Sequence, residues 1–231
     1  MARENRIARV WSDPVWSKVI GGAILALLAF LVAQLRLVPV PSFAIVSPGM
    51  ALGVGLVGFA AIAALWLWSR RRPKVLVFLS AGGTCRDPMA AAIMAKVLQA
   101  KPEKRVIVIR AAGLGPNIGS QASYAARYVM NRMYGEDLLK NHKPELLTPE
   151  LAAEADLIVA MDKGLLLTAG KTLPGDKTFV LKEFLGLRGD ISDPWPDGRD
   201  DATLARYQEC AEELRRVLTA GADRLLAALE V

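Results

Sequence analysis

The most constraining feature of the sequence is an apolar run that leads through a glycine-containing loop directly into a helix-forming segment. Residues 74–79 read Lys-Val-Leu-Val-Phe-Leu, a pattern typical of a short buried strand. Residues 89–98 consist almost entirely of strong helix formers. A loop between such a strand and helix directs several backbone N–H groups to one point, where the helix dipole adds positive potential. The segment 80–88 therefore predicts either an oxyanion site, closed by the planar fork of Arg86, or an ordinary connecting turn.

Three further strand patterns alternate with helical patterns along the rest of the chain. The strands are predicted at residues 105–109, 156–161 and 177–181. The helices are predicted at residues 121–133, 149–154, 163–169 and 201–229. Strands that alternate with helices favour a parallel sheet whose two faces are covered by helices. We therefore predict an α/β fold with a four-stranded parallel sheet.

The charge of the chain is unevenly distributed. The 231 residues carry a formal net charge of +6. Residues 1–72 hold eight Lys and Arg against two acidic residues, whereas residues 73–231 hold 21 of each. A nucleic-acid binder would carry its basic excess as a patch on a folded domain, so we predict no nucleic acid as partner. The two cysteines suit a reducing compartment, and no pattern predicts a metal or a cofactor.

The basic residues of the N-terminal part flank two uncharged apolar runs. As helices rising about 1.5 Å per residue, residues 19–35 would reach about 25 Å and residues 50–68 about 28 Å. Both lengths are close to what a transmembrane helix requires. Positive residues lie on both outer flanks, which predicts a hairpin with both termini in the cytoplasm. We therefore predict a multi-pass protein of the inner membrane, in which residues 1–72 form an α-helical transmembrane anchor and residues 73–231 a cytoplasmic domain.

Two features of this anchor leave alternatives open. Leu31-Val32-Ala33 resembles a cleavage site, so a cleaved signal peptide is the alternative to the first transmembrane helix. Gly49 and Gly53 have the spacing that lets transmembrane helices approach closely. That spacing fits either packing within the hairpin or self-association into a homo-oligomer. The lipid bilayer is the other partner that the hairpin implies.

The residues from the first strand to the helix also match a family signature. They read Val-Leu-Val-Phe-Leu-Ser-x-Gly-x-x-Cys-Arg-x-Pro-Met-Ala-x-Ala, an order that resembles the signature of the low-molecular-weight protein tyrosine phosphatases. Further matching blocks follow in the family's order, at residues 112–113, 141–144, 155–161 and 190–195. The resemblance covers nearly all of residues 74–231. It implies the low-molecular-weight phosphatase fold with an oxyanion bound in the loop, in a family that also includes thiol arsenate reductases.

The resemblance implies a phosphate-binding loop that begins at the nucleophile position. Its residues here are Ser80, Ala81, Gly82, Gly83, Thr84, Cys85 and Arg86. The family has a nucleophilic cysteine where this chain has Ser80, and an asparagine where it has Gly83. The N–H groups and the arginine of such a loop lower a thiol pKa well below its usual value of about 8.5. A serine hydroxyl stays protonated in the same field, so it needs a general base.

Two side chains are candidates to compensate for the missing thiol. Asp87 stands where the family has a serine whose side chain points toward the nucleophile, so it is a candidate base for Ser80. Its negative charge would also repel a phosphate dianion. Cys85 is a candidate nucleophile from a different geometry, and the alternative for it is a buried structural thiol.

The resemblance assigns three further residues. Asp193 occupies the general-acid position, from which a carboxylic acid would protonate a leaving phenolate. Trp195 would supply an aromatic wall able to hold a phenyl ring. His142, the only histidine of the chain, either supports the network behind the loop or is a solvated loop residue.

A loop that keeps its arginine and its general acid but lacks the thiol favours binding over efficient turnover. We therefore predict a membrane-anchored phosphatase-like domain, catalytically impaired, that binds phosphotyrosine on a phosphorylated protein or a small oxyanion. The alternative is an active protein tyrosine phosphatase that hydrolyses aryl phosphates, with Arg86 binding the phosphoryl group and Asp193 as general acid. Arsenate reduction is disfavoured because that chemistry needs successive thiols, and only Cys85 lies near the loop.

Overall fold

The computed structural model describes residues 72–101, 106–170 and 173–229, together with residues 58, 62 and 63. The chain divides into two units, Met1–Leu67 and Trp68–Val231, and the second contains all the elements named below. Its strands are β1 (Lys74–Ser80), β2 (Ile107–Gly113), β3 (Leu157–Ala160) and β4 (Thr178–Val180). Its helices are α1 (Arg86–Gln99), α2 (Tyr124–Tyr134), α3 (Pro149–Glu154), α4 (Lys163–Ala169), α5 (Leu181–Phe184) and α6 (Asp201–Leu229).

The four strands form one parallel sheet in the order β2-β1-β3-β4. β1 pairs with β2 from Lys74 opposite Ile107 to Ser80 opposite Gly113. β3 lies on the other side of β1 and pairs in turn with β4. The predicted α/β fold with a four-stranded parallel sheet is therefore confirmed. Because the strands are parallel, the loops that leave their carboxyl ends meet at one edge of the sheet.

β1 lies in the interior of the sheet and is covered on both faces. Leu76, Val77, Phe78 and Leu79 are all 0% exposed. This burial explains why the strand reads as a continuous apolar run rather than an alternating one. α1 packs on β1 and β2 and also against α6. The end of β1 and the start of α1 are thus both anchored in the core, and the loop between them is positioned by the two elements.

Some element boundaries differ from the prediction because tertiary contacts decide them. The sequence predicts that β2 ends at residue 109, but the strand continues to Gly113 because the additional residues pair with the carboxyl half of β1. The helix predicted from residue 121 begins at Tyr124 instead. There the carboxylate of Asp197 accepts hydrogen bonds from the N–H groups of Tyr124 at 2.8 Å and Ala125 at 2.9 Å.

The prediction of an inner-membrane protein is corrected by the structure. In the part of the chain that the structure describes, no helix is both long enough and apolar enough to cross a membrane. The predicted localisation, which depended on such helices, is therefore contradicted. Crossing a bilayer requires an apolar helix of about 20 residues, and a run of uncharged residues in the sequence does not by itself establish one. Apart from residues 58, 62 and 63, the predicted helices at 19–35 and 50–68 lie outside the described residues.

Candidate active site

A pocket of about 500 Å³ lies at the carboxyl end of β1, where the chain turns into α1. Ser80 is the last residue of β1 and Arg86 is the first residue of α1. Other walls come from the loops that precede α2 and α6. The lining residues are Ser80, Ala81, Gly82, Thr84, Cys85, Arg86, Gly115, Asn117, Ser120, Gln121, Ser123, Asp193, Trp195 and Asp197. The pocket therefore lies at the edge of the sheet where parallel α/β folds bind their ligands.

The loop between β1 and α1 is held in a tight conformation by its neighbours. Gly83 has a φ of +68°, a left-handed conformation that favours glycine. Gly113, at the end of β2, approaches so closely that a Cβ atom there would lie 2.8 Å from the nitrogen of Gly83. Nε2 of His142 donates a hydrogen bond of 2.7 Å to the carbonyl oxygen of Gly83. The structure thus places His142 directly against the loop.

Several N–H groups of the loop remain available to a ligand. The N–H of Gly83 donates to Oγ of Ser80 at 3.2 Å. Within the described part of the chain, the N–H groups of Gly82, Thr84 and Cys85 donate no hydrogen bond. These three residues line the pocket. A phosphate-sized oxyanion could accept hydrogen bonds from them, as in other anion sites built from successive backbone N–H groups.

The guanidinium of Arg86 is held by two carboxylates in this structure. Its Nη1 donates to Oδ2 of Asp162 at 2.7 Å and to the carbonyl oxygen of Ile191 at 2.9 Å. Its Nη2 donates to Oδ2 of Asp193 at 2.7 Å. The Arg86 side chain is 4% exposed, whereas the Asp193 side chain is 46% exposed. The pair with Asp193 is therefore the one that faces solvent, and a ligand can compete for it.

Asp162 is a site residue that the sequence analysis missed. It follows β3 by one residue, Met161, and its Oδ1 accepts a hydrogen bond of 3.0 Å from the N–H of Leu165, at the start of α4. The signal that could have revealed it is topological. An acidic residue directly after the strand beside β1 comes to the same edge of the sheet as Arg86.

Ser80 and Asp87 form a buried hydrogen-bonded pair behind the loop. Oγ of Ser80 donates to Oδ1 of Asp87 at 2.6 Å. Ser80 is 3% exposed and Asp87 is 0% exposed. Among the described residues, Oδ2 of Asp87 has no hydrogen-bond partner. Burial raises the pKa of Asp87 to about 7, although the hydrogen bond from Ser80 and the charge of Arg86 act in the opposite direction.

Cys85 lies in a cluster of hydroxyl groups. Its Sγ is 3.4 Å from Oγ of Ser123, 3.1 Å from Oη of Tyr207 and 3.4 Å from Oγ1 of Thr84. Cys85 is 7% exposed and Tyr207, on α6, is fully buried. Burial raises the pKa of the Tyr207 hydroxyl. This environment suits the structural alternative for the thiol.

Among the described residues, no group of three or more His, Cys, Asp or Glu side chains could hold a metal ion.

Asp193 and Trp195 stand together at the mouth of the pocket. Oδ1 of Asp193 accepts a hydrogen bond of 3.2 Å from the backbone N–H of Trp195, while its Oδ2 contacts Arg86. Trp195 is 64% exposed and lines the pocket. The structure therefore brings a carboxyl group and an aromatic side chain beside the loop of N–H groups.

Residues 75–230 match the family model of the low molecular weight phosphotyrosine protein phosphatases. The chain belongs to this family. The predicted family and fold are thereby confirmed. The curated relatives that match cover about two thirds of this chain.

A protein-arginine-phosphatase of Bacillus subtilis (strain 168) is 29% identical over 153 residues, which are 65% of this chain and 95% of that protein. Two solved structures are similar to this phosphatase family member. The low molecular weight protein tyrosine phosphatase from T. tengcongensis has 32% sequence identity and a TM-score of 0.57, over 67% of this chain and 98% of its own. A cysteine-to-serine mutant of YwlE arginine phosphatase, with a phosphorylated active site serine, has 28% identity and a TM-score of 0.58, over 65% and 95% of the two chains.

The raised pKa of Asp87 predicts a pH-dependent loss of stability in this phosphatase family member. The folded protein holds the proton of Asp87 up to about pH 7, whereas the unfolded chain releases it near the ordinary value of 3.8. Between these values the folded state binds more protons, so stability falls as the pH rises. We expect the free energy of unfolding of Asp87→Asn, relative to that of the wild type, to increase by about 1.4 kcal/mol with each pH unit across this range. Above pH 7 this difference should level off.

Urea unfolding of the full-length protein at pH 5 and pH 8 measures this difference. Glu209→Gln makes the same carboxylate-to-carboxamide change at an exposed position of α6 and should show little difference at either pH. An Asp87→Asn variant whose advantage does not grow between the two pH values would contradict the buried, raised carboxyl group.

Proposed function

We propose that residues 73–231 form a phosphatase-like domain that binds the phosphoryl group of a phosphorylated protein in the loop from Ser80 to Arg86. Hydrolysis by this domain is slower than in family members that carry the nucleophilic cysteine. The observation that carries the proposal is the position of Arg86 beside loop N–H groups that have no acceptor in the described part of the chain. Arginine and backbone N–H groups together are suited to bind a phosphate dianion.

Binding would exchange one ion pair of Arg86 for contacts with phosphate. The buried contacts of Nη1 with Asp162 and the carbonyl oxygen of Ile191 keep the guanidinium oriented. Nη2 contacts the half-exposed carboxylate of Asp193, which phosphate oxygens would replace. This exchange frees the carboxyl group of Asp193 from the guanidinium. A protonated Asp193 is then in place to donate a proton to the leaving group.

Ser80 is the reason for the slow hydrolysis in this proposal. A thiolate attacks phosphorus without the help of a base, whereas a serine hydroxyl must lose its proton as it attacks. The carboxyl group of Asp87, 2.6 Å from Oγ of Ser80, also places negative charge close to the bound dianion whenever it is ionised. Ser80 in place of a cysteine therefore impairs turnover more than it weakens phosphate binding. The sequence analysis predicts such a catalytically impaired phosphatase.

Two phosphorylated side chains are candidates for the substrate. Phosphotyrosine fits the exposed ring of Trp195, which offers a surface on which a phenyl ring can pack. The similarity to proteins described as protein-arginine-phosphatases supports phosphoarginine as the second candidate. Beyond the phosphoryl group, phosphotyrosine has an aromatic ring and phosphoarginine has a polar guanidino group on a flexible chain. Matched phosphopeptides that differ only in this residue therefore distinguish them by their affinity.

The binding proposal is tested by the thermal stability of the full-length protein in inorganic phosphate. A ligand of the native state stabilises it by about 2.7 kcal/mol at a concentration 100 times its Kd, so we expect Tm to rise with the logarithm of phosphate concentration. Phenylphosphonate, which cannot be hydrolysed, should act at lower concentration because its ring can contact Trp195. Sodium chloride of equal ionic strength is the control, and an equal rise in Tm with the chloride would contradict the proposal.

A further inference from the structure

We infer that Ser80 and Asp87 form a nucleophile and base pair, in which Ser80 accepts the phosphoryl group while Asp87 takes the hydroxyl proton. The inference rests on the proposed function, since it requires a phosphoryl group bound in the loop. Where the family has a serine after the arginine, this chain has a carboxyl group. The exchange of cysteine for Ser80 is therefore accompanied by a group that a hydroxyl nucleophile needs.

The geometry of the pair is that of a nucleophile and its general base. Oγ of Ser80 already donates its proton to Oδ1 of Asp87 at 2.6 Å, within the distance required for general-base catalysis. The N–H of Gly83 donates to the same Oγ at 3.2 Å. That N–H would stabilise the negative charge that develops on the oxygen as the proton leaves. Ser80 lines the pocket, so its Oγ can reach the phosphorus atom of a phosphoryl group that is bound in the loop.

A purely structural role explains Asp87 poorly. The carboxyl group is 0% exposed, and Oδ2 has no hydrogen-bond partner among the described residues. A buried carboxyl group with one oxygen unpartnered destabilises the fold, and such groups are concentrated at functional sites. A serine or an asparagine at this position would make a hydrogen bond with Ser80 without a buried charge. A role as general base explains the presence of a carboxyl group at a position where its burial destabilises the fold.

The charges around Asp87 keep it able to accept a proton near neutral pH. Burial raises its pKa to about 7, the charge of Arg86 on the same helix lowers it, and the charge of Asp193 from the loop before α6 raises it. A general base works best when its pKa lies near the operating pH. Both protonation states are therefore populated under physiological conditions, as a group that must accept and return a proton requires.

The transfer step balances on the residues of this site. Oγ of Ser80 forms a bond to phosphorus as its proton passes to the Asp87 carboxylate. The bond between phosphorus and the leaving oxygen of an aryl phosphate breaks, and that oxygen takes the proton of Asp193. The products are phosphorylated Ser80, a neutral phenol, protonated Asp87 and ionised Asp193.

The second step regenerates the site with water. The Asp193 carboxylate accepts a proton from the water that attacks phosphorus, and the Ser80 oxygen leaves with the proton that Asp87 returns. The sum of both steps is the hydrolysis of one phosphate ester by one water molecule. A serine oxygen is a poorer leaving group than a thiolate, so we expect phosphorylated Ser80 to accumulate.

The test follows phosphorylation of Ser80 in the full-length protein with para-nitrophenyl phosphate, whose leaving group needs little help from Asp193. Mass spectrometry after an acid quench should find one phosphoryl group on Ser80 in the wild type and none in Ser80→Ala. The labelling rate of the wild type should rise with pH and level off above about pH 7. Asp87→Asn should label about 100-fold more slowly and lose this pH dependence.

A second pair of variants separates base chemistry from structural support. In the Ser80→Cys background the nucleophile is a thiolate that needs no base, and a neighbouring carboxylate raises its pKa. Asp87→Asn should therefore slow Ser80→Cys far less than it slows the wild type, for which we expect a factor of about 100. Equal slowing by Asp87→Asn in both backgrounds would assign Asp87 a structural role and overturn the inference.

The failures of the two proposals are distinguishable. If inorganic phosphate stabilises the wild type but Ser80 is never labelled, the nucleophile and base pair is wrong and the binding function stands. If phosphate gives no stabilisation beyond that of sodium chloride, the proposed function fails and the inference fails with it.

Discussion

Ser80→Cys is expected to raise hydrolysis of an aryl phosphate by the full-length protein about 100-fold or more. The substitution places a thiol at the end of β1, where the loop N–H groups, the start of α1 and Arg86 all favour a negative charge. A thiolate attacks without transferring a proton, whereas attack by the serine hydroxyl depends on general-base catalysis, which contributes about 10²–10⁴-fold. The volume change is small, and Ser80 is already buried, so the fold should tolerate it.

Release of para-nitrophenol under steady-state conditions measures this gain. Ser80→Ala serves as the background without a nucleophile at this position, and Ser80→Cys combined with Arg86→Ala should lose the gain, since the phosphoryl group is then poorly held. A wild-type rate within about tenfold of the Ser80→Cys rate would mean that hydrolysis is not impaired by the serine.

Arg86→Ala is expected to abolish stabilisation by inorganic phosphate and to lower aryl phosphate hydrolysis by about 10²–10³-fold. Loss of one preorganised donor that stabilises transition-state charge typically costs this much, and Arg86 offers two Nη groups, each now 2.7 Å from a carboxylate oxygen. Without the guanidinium, the carboxylate of Asp193 would line the pocket with no cation beside it. The site would then repel an anion rather than attract it.

Two further variants control for charge and geometry in this experiment. Arg86→Lys keeps the positive charge but loses the planar fork, so it should recover only part of the phosphate affinity. Arg216→Ala removes the same charge from an exposed position of α6 outside the pocket and should bind phosphate as the wild type does. Phosphate stabilisation that persists in a folded Arg86→Ala variant would place the oxyanion site elsewhere.

The fold was predictable because its strongest signals are local. The run at 74–79 is uniformly apolar because β1 is covered on both faces, and the segment after residue 88 is helical because its residues favour helix. The end of β2 was not predictable in this way, because its last residues are strand only through their pairing with β1. The start of α2 likewise depends on Asp197, which caps the helix from a distant part of the chain.

In the candidate site, too, one part follows from the local sequence and another part depends on the tertiary structure. The motif from Ser80 to Arg86 is contiguous, so the sequence alone predicted the loop, its arginine and, from the resemblance, a serine where the family has a cysteine. The placement of Asp162 on Arg86 depends on β3 lying beside β1 in the sheet. No local pattern contains that information, because residues far apart in the chain meet only through the order of the strands.

The sequence by itself determined the order of strand, glycine-containing loop and helix, and from the resemblance it predicted that Ser80 stands where the family has a thiol. The tertiary structure alone decided that the carboxyl group of Asp87 faces Ser80 at 2.6 Å and is fully buried there. The two residues are seven positions apart, and their contact depends on the turn that Gly83 and Gly113 allow the loop to make. Whether a carboxyl group repels a ligand or serves a nucleophile depends on its direction and its burial, and both are properties of the folded backbone rather than of residue order.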